Sequence, residues 1–182
     1  MKPTSENVNI TITDCTVSFD SVYSASTTPQ EYIEEIKQAN VLFLPDENRY
    51  DEDGVHFPET ASEMFQYFRD KATGNMNVNI AISDTEFQML EKHADIIEIV
   101  KLIVDSTVFN IVIGLITNFI YDKLKKEHKN PDEVNAKLEI IVEDRKAKTS
   151  KKISYEGPSS EIQNVLNTTN LIANGSKDDQ NN

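Results

Sequence analysis

The sequence predicts an α/β fold, organised as a three-layer domain with a mostly parallel sheet, helices on both faces and a C-terminal antiparallel hairpin at the edge. The first observation behind this prediction is that segments with strand periodicity alternate along the chain with segments that carry helix-start signals. The second is an apolar segment over residues 96–120, which has no charged residue from Ser106 to Tyr121. Such a segment is too apolar for a surface helix, so it predicts a buried central element.

The first part of the chain predicts a strand, a helix and a second strand. Residues 8–12 alternate between apolar and polar side chains, which is the period of a half-buried strand. Residues 21–28 are polar and predict a turn. Residues 28–39 begin with Thr, Pro, Gln and Glu, which is a helix-start pattern. Residues 41–44 are all apolar, as in a strand covered on both faces, and an acidic loop follows over residues 46–53.

The middle of the chain continues the alternation. A helix is predicted to begin near residue 58 or 60 and to end before Gly74, a residue type that often terminates helices. A strand is predicted from Val78 to Ile82 because its apolar residues alternate with polar ones. A capping box predicts a short helix over residues 83–92. Residues 95–100 predict a short strand.

The last part of the chain predicts a long helix, a hairpin and a final helix. The long helix is expected over residues 102–126, with lysines favourably placed at its negatively polarised end. Residues 138–142 and 153–155 have strand periodicity on either side of a charged loop, which is typical of a hairpin. The final helix begins after residue 158.

The domain organisation is predicted to be simple. A length of 182 residues and a hydrophobic content of 38% suit one domain with its own core. We therefore expect a single α/β domain over residues 1–174. Residues 175–182 contain no apolar side chain and predict a disordered polar tail.

The charge and the cysteine content restrict the partners and the compartment. The formal net charge of −13 disfavours binding to nucleic acid or to an anionic membrane surface, because both carry negative charge. Cys15 is the only cysteine, so the chain has no internal disulfide. The first residues also lack the apolar core of a secretory signal. Together these observations predict a cytoplasmic protein.

The signatures of common catalytic sites are absent from the sequence. The five glycines lie at positions 54, 74, 114, 157 and 175, a spacing that excludes a phosphate-binding P-loop and a dinucleotide fingerprint. There is no Gly-x-Ser-x-Gly segment, and the three histidines are too far apart for a zinc-binding helix. We therefore favour a non-enzymatic protein and expect no cofactor, with one exception.

The exception is the acidic loop, which is the best candidate ligand site. In doubly wound sheets, ligands bind beyond the carboxyl ends of strands, and Asp46 and Glu47 follow such a strand. His56 and Glu59 come next in the sequence. Two carboxylates with a histidine could hold a divalent cation or share acid and base roles. The alternative is a solvated loop in which Glu59 complements a helix dipole.

The long apolar segment has three interpretations. A membrane span is disfavoured, because about 20 apolar residues are needed and Lys101 and Asp105 lie just upstream. A helix buried in the core is favoured. The third interpretation leaves one face of the helix for an interface, and that face contains Val108, Ile111, Leu115, Ile116 and Phe119.

The basic loop over residues 145–152 is a local patch on an acidic protein. It could bind an acidic partner, or its side chains could pair with carboxylates of the same chain.

These observations favour a cytosolic, non-enzymatic protein-binding or assembly component of a larger complex, which binds a partner protein or associates with itself. One alternative is a cation-dependent enzyme or nucleotide-signal receptor that uses Asp46, Glu47 and Glu59. A second alternative is an acidic protein that mimics nucleic acid.

Overall fold

The computed structural model describes residues 8–46, 55–81, 87–90 and 96–175. Within these ranges the strands are β1 (Asn9–Cys15), β2 (Val41–Leu44), β3 (Val55–Pro58), β4 (Val78–Ile80), β5 (Phe87–Leu90), β6 (Ile96–Glu98), β7 (Lys101–Asp105), β8 (Asn135–Asp144) and β9 (Thr149–Pro158). The helices in the same ranges are α1 (Phe19–Tyr23), α2 (Ile33–Ile36), α3 (Ala61–Lys71), α4 (Phe109–Lys126) and α5 (Ile162–Gly175). The α/β class is therefore confirmed. The predicted tail after Gly175 and most of the acidic loop lie outside the described residues.

The main sheet has seven strands and mixed directions. Its order is β1-β9-β8-β7-β2-β4, and β6 pairs with the first part of β8, in line with β7. The β7–β8, β6–β8 and β2–β4 pairs are parallel, whereas the β1–β9, β8–β9 and β2–β7 pairs are antiparallel. Strands β3 and β5 form a separate two-stranded parallel sheet.

The prediction of a mostly parallel sheet is not confirmed, because the two longest ladders are antiparallel. The turn between β8 and β9 covers only residues 145–148, which forces these strands to run in opposite directions. The hairpin itself is confirmed. Its predicted position at the edge is wrong, since β1 pairs with the outer side of β9 and takes the edge.

Side chains alternate between the two faces of the sheet and form two apolar clusters. Val41 and Phe43 belong to the larger cluster, together with residues of α3, α4 and α5. Leu42 and Leu44 belong to the smaller cluster, with residues of α1 and α2. We call these the α4 face and the α1 face. The full three-layer arrangement stays a prediction, because the α1 face carries only a five-residue and a four-residue α-helix.

The helices before β2 differ from the prediction. Helix α1 lies partly where a polar turn was predicted, and it starts with a capping box in which Ser18 and Ser21 exchange hydrogen bonds with each other's backbone N–H groups. The predicted helix over residues 28–39 is shorter. It consists of one 3-10 turn, Gln30–Tyr32, followed by the single turn of α2.

Two further predictions are corrected. Residues 87–90, predicted as helix, form strand β5, because they find a pairing partner in β3. The long helix begins at Phe109 and not at residue 102, because Lys101–Asp105 is strand β7. The side chains of Leu102, Ile103 and Val104 are all 0% exposed between β2 and β8. An apolar run that is buried all round has no periodicity, so it does not distinguish a strand from a helix.

Helix α4 is a core helix of the α4 face. Eight of its side chains are buried, and its C-terminal turn carries three lysines as expected. The segment Ser106–Lys126 is long and apolar enough to cross a membrane by length and composition alone, but half of its most apolar window is buried in this fold. Core helices commonly pass that test, so the placement agrees with the favoured interpretation of the sequence.

The α1 face is fixed by a polar junction, formed by Asp105, Glu143 and Arg145 at the carboxyl ends of β7 and β8. The Glu143 carboxylate accepts the Phe19 N–H at 2.7 Å, which holds the start of α1 against the sheet. Arg145 lies 4.0 Å above the Phe19 ring, contacts Asp105 at 3.1 Å and donates to the carbonyl of Ala39 at 3.2 Å. The junction therefore joins α1 and the segment that follows α2 to the ends of β7 and β8.

We expect Ile116→Ala to lower the free energy of unfolding by about 2–5 kcal/mol, because Ile116 is 0% exposed and its loss leaves a cavity beneath the sheet. The control is Ile111→Ala on the same helix. Ile111 is 37% exposed, so its truncation should cost no more than about 1 kcal/mol. Urea unfolding of both variants measures the difference, and equal losses would contradict this placement of α4.

We expect Glu143→Ala to lower the free energy of unfolding by about 1–3 kcal/mol, because the buried N–H of Phe19 loses its acceptor. Glu156→Ala, on the same hairpin, is the matched control: Glu156 is exposed, and its truncation should change stability by about 0.5 kcal/mol or less. Thermal or urea unfolding compares the two. A stability change for Glu143→Ala as small as that of the control would show that the junction does not hold α1.

Candidate functional site

A groove of about 670 Å³ lies on the α1 face beside β1, where the short helices do not reach. Its floor is formed by adjacent residues of neighbouring strands, and Asp46 and Pro58 stand at one end. No residue of α1 or α2 is among the described residues that line it. The lining residues are Val8, Asn9, Ile10, Thr11, Leu44, Asp46, Pro58, Glu98, Ile99, Lys101, Lys137, Leu138, Glu139, Ser154, Tyr155 and Glu156.

The floor of this groove carries paired charges of both signs. Lys101 on β7 contacts Glu139 on β8 at 3.3 Å, and Lys152 on β9 contacts the same carboxylate at 3.7 Å. Opposite charges on neighbouring strands are favourable cross-strand pairs, and partly exposed pairs of this kind contribute little to stability. Among the residues that the structure describes, no group of three or more His, Cys, Asp or Glu side chains could hold a metal ion.

The residues of the predicted cation site are only partly brought together. The N–H of Asp46 donates to the carbonyl of His56 at 2.9 Å, so the backbone brings these two residues side by side. Asp46 lines the groove, whereas the side chain of His56 is 2% exposed and buried. Glu59 is exposed in the turn before α3 and does not line the groove. Glu47 lies outside the described residues, so a divalent cation at this set stays a prediction.

The residues of the predicted helix interface lie mostly in the protein's own core. The exposed fractions of Val108, Leu115, Ile116 and Phe119 are 5%, 8%, 0% and 2%, whereas that of Ile111 is 37%. Four of these five side chains are therefore already covered by this chain. They leave Ile111 as the member of the set that a partner can reach in this conformation.

The outer edge of β1 is a second candidate site, which the sequence alone did not indicate. β1 forms one end of the main sheet, and no described strand pairs with its outer side. Its ladder with β9 runs through seven consecutive residue pairs without a bulge. Edge strands are usually protected from pairing with other chains by charged residues, Pro or a bulge. The segment Asn9–Cys15 has one charged residue, Asp14 near its end, and no Pro or bulge, and none of the described strands pairs with its outer backbone groups.

The two faces of β1 differ in chemistry. Ile10 and Ile12 lie opposite Tyr155 and Ile153, which places them on the α4 face, and Val8 continues the same alternation. Val8 and Ile10 are 43% and 40% exposed. The side chains of the other face belong to the uncharged residues Asn9, Thr11 and Thr13. The groove is lined by Val8 and Ile10 as well as by Asn9 and Thr11.

Tyr155 supports this edge from the neighbouring strand. Its ring is 1% exposed, and its hydroxyl donates to the carbonyl of Pro158 at 2.7 Å. Burial raises the pKa of Tyr155 to about 12, and the negative charge of Glu161 adds to the effect. The phenol is thus held in its neutral form, as a buried group that keeps a hydrogen bond should be.

The basic loop pairs with carboxylates of its own chain, which is one of the two alternatives that the sequence left open. Arg145 contacts Asp105, Lys151 contacts Asp14 at 3.0 Å, and Lys152 contacts Glu139. These contacts place positive charge along the hairpin against negative charge on β1, β7 and β8.

Comparisons of this chain with protein families, with curated proteins and with solved structures found no match.

We expect the stability of the protein to fall as the pH rises from about 10 to about 12. The pKa of Tyr155 is raised in the folded protein. The contribution of its neutral phenol to stability is therefore complete below the ordinary pKa of 10.0, and it is lost as the pH passes through the folded pKa of about 12. Urea unfolding at a series of pH values measures this loss. Tyr155→Phe should lose less stability over the same interval, and an equal loss would show that other groups cause it.

Proposed function

We propose that this chain is a non-enzymatic protein-binding component of a larger cytoplasmic assembly, and that it binds by accepting an extended strand along the outer edge of β1. The observation that carries this proposal is the regular, unprotected edge of the main sheet. Strand addition to an open edge is a common mode of peptide and protein recognition, in which main-chain hydrogen bonds supply affinity and alternating side chains supply specificity.

The backbone of β1 supports this mode because it is already held straight and in register. Seven consecutive pairs with β9 fix its conformation, so a partner strand would meet a formed template. Little conformational entropy of β1 itself would be lost on binding, and this favours affinity.

The side chains along β1 support the same mode. An added strand alternates its side chains between the two faces of the sheet. On the α4 face, those side chains would cover Val8 and Ile10, whose apolar surface is now partly exposed. On the α1 face, they would reach the groove beside Asn9 and Thr11. The edge therefore offers an apolar contact on one side and a polar, concave contact on the other.

The composition supports the remaining parts of the proposal. The single cysteine suits a reducing compartment, in which disulfides do not form. The net charge of −13 favours a protein partner over a nucleic acid. The cation-dependent alternative would need the carboxylate of Asp46 to act together with Glu47 and Glu59, and Glu59 does not line the groove. The acidic mimic of nucleic acid stays a prediction that no contact among the described residues favours.

We expect the chain to migrate in an extract of its own host, under native conditions, at a mass well above the 20.6 kDa of one chain. Ile10→Lys should shift it to the position of the monomer, because a lysine on an edge strand opposes pairing with a further strand. Size-exclusion chromatography of the extract, followed by detection of the chain, measures the shift.

Ile111→Lys is the matched control, since Ile111 is exposed to nearly the same extent as Ile10 but lies on α4. The elution position of this variant should equal that of the unmodified chain. A monomeric position for the unmodified chain, or an unchanged large mass for Ile10→Lys, would contradict strand addition at β1.

A further inference from the structure

We infer that the strand accepted by β1 is β1 of a second copy of this chain, paired antiparallel across a two-fold axis perpendicular to the sheet. This inference rests on the proposed function and names its partner. The main sheet of each copy would then continue into the other. The observation that points to a second copy is that β1 fits its own edge in backbone direction, in the chemistry of both faces and in charge.

The backbone geometry of the edge favours a second copy. A two-fold axis perpendicular to the sheet makes the two β1 strands antiparallel and keeps the α4 faces of both copies on the same side. The apolar side chains of Ile10 and Ile12 from one copy would therefore meet the same two from the other, around the axis. The contact would bury these four side chains, and it would be isologous, as interfaces of two-fold dimers are.

The register of the two strands also favours a second copy. With Thr11 opposite Thr11 of the second copy, Ile10 lies opposite Ile12, and Asn9 lies opposite Thr13. Pairs of β-branched residues and pairs of threonines are favourable across antiparallel strands. In this register each residue from Asn9 to Thr13 faces a residue of its own chemical class, apolar on the α4 face and uncharged polar on the α1 face.

The distribution of charge along β1 also favours a second copy. β1 carries one charged side chain, Asp14, which would lie opposite Val8 of the second copy at the margin of the contact, and Lys151 of the same chain contacts it at 3.0 Å. No charge would therefore be buried at the centre of the contact, so no desolvation cost of an ion arises there. An edge selected for a basic partner should instead present carboxylates to it, and the residues from Asn9 to Thr13 present none.

The net charge of the whole chain determines the direction in which salt changes the pairing of two copies. Each copy carries −13, so two copies repel each other at long range while the contact itself is uncharged. Salt screens this repulsion, with a screening length of about 10 Å at 0.1 M. Raising the salt concentration should therefore tighten the pairing of two copies. Binding of a basic partner to the same chain should weaken under the same change.

The test is the mass of the purified full-length chain at micromolar concentration, measured by light scattering and sedimentation. We expect a species of twice 20.6 kDa whose dissociation constant falls when salt rises from about 0.05 M to about 0.5 M. Ile10→Lys should weaken the dimer at least about tenfold, because it places two like charges near the axis. Ile111→Lys should leave it unchanged. Circular dichroism checks that both variants fold.

Cysteine cross-linking tests the register. In a Cys15→Ser background, Thr11→Cys should form a covalent dimer under mild oxidation, because directly opposed residues of antiparallel strands have Cα atoms about 4.5–5.5 Å apart. Thr13→Cys is the control on the same strand and face. Its two copies would lie about four residues apart along the strands, beyond the reach of a disulfide.

The outcomes separate this inference from the function on which it rests. One outcome is that the purified chain stays monomeric while Ile10→Lys still shifts the mass in the host extract. It would overturn the claim that the accepted strand comes from a second copy, and the edge of β1 would then accept a strand of another protein. A dimer that forms but is insensitive to Ile10→Lys would overturn the β1 contact. A dimer with cross-linking at Thr13→Cys and not at Thr11→Cys would overturn the proposed register.

Discussion

The burial of β7 between β2 and β8 is the constraint on which the rest of this fold depends. Its three central side chains are 0% exposed, so both faces of the sheet must be covered at this point. Helix α4 follows directly along the chain and covers one face. The other face is covered by α1 and α2, and the polar junction attaches α1 and the segment that follows α2 to the ends of β7 and β8. A strand of 5 residues with three apolar, buried side chains at its centre thus determines where the helices pack.

The two faces of the sheet are covered unequally. Three helices pack on the α4 face, where eight side chains of α4 are buried and Ile111 and Tyr121 stay exposed. The helices of the α1 face are short and cover only its middle, which leaves the groove and the margin beside β1. This unequal covering is why we propose the edge of the sheet, and not the long helix, as the surface for a partner.

Several elements could be predicted from local sequence because their signals are local. Helix α3, the hairpin and α5 each carry a periodicity or a cap that few other structures share, and the strand at residues 41–44 is a short apolar run that ends at Pro45. β7 could not be predicted in this way, since a buried strand and a buried helix have the same uniform apolar pattern. β5 was missed because its strand conformation depends on pairing with β3, about 30 residues earlier in the chain.

The sequence by itself determined which residues share a face, where α3 lies, where α4 ends and α5 begins, and that the long apolar segment belongs in a core. Only the tertiary structure decided that β1 is an edge and that the hairpin lies inside the sheet. It also decided that four residues of the expected helix interface are covered and that Asp46 opens onto a groove while Glu59 does not. The physical reason is that periodicity reports the environment of one segment. Strand order depends on pairs such as Ile10 and Tyr155, which are far apart in the chain. The local sequence around either residue does not show which strand it pairs with.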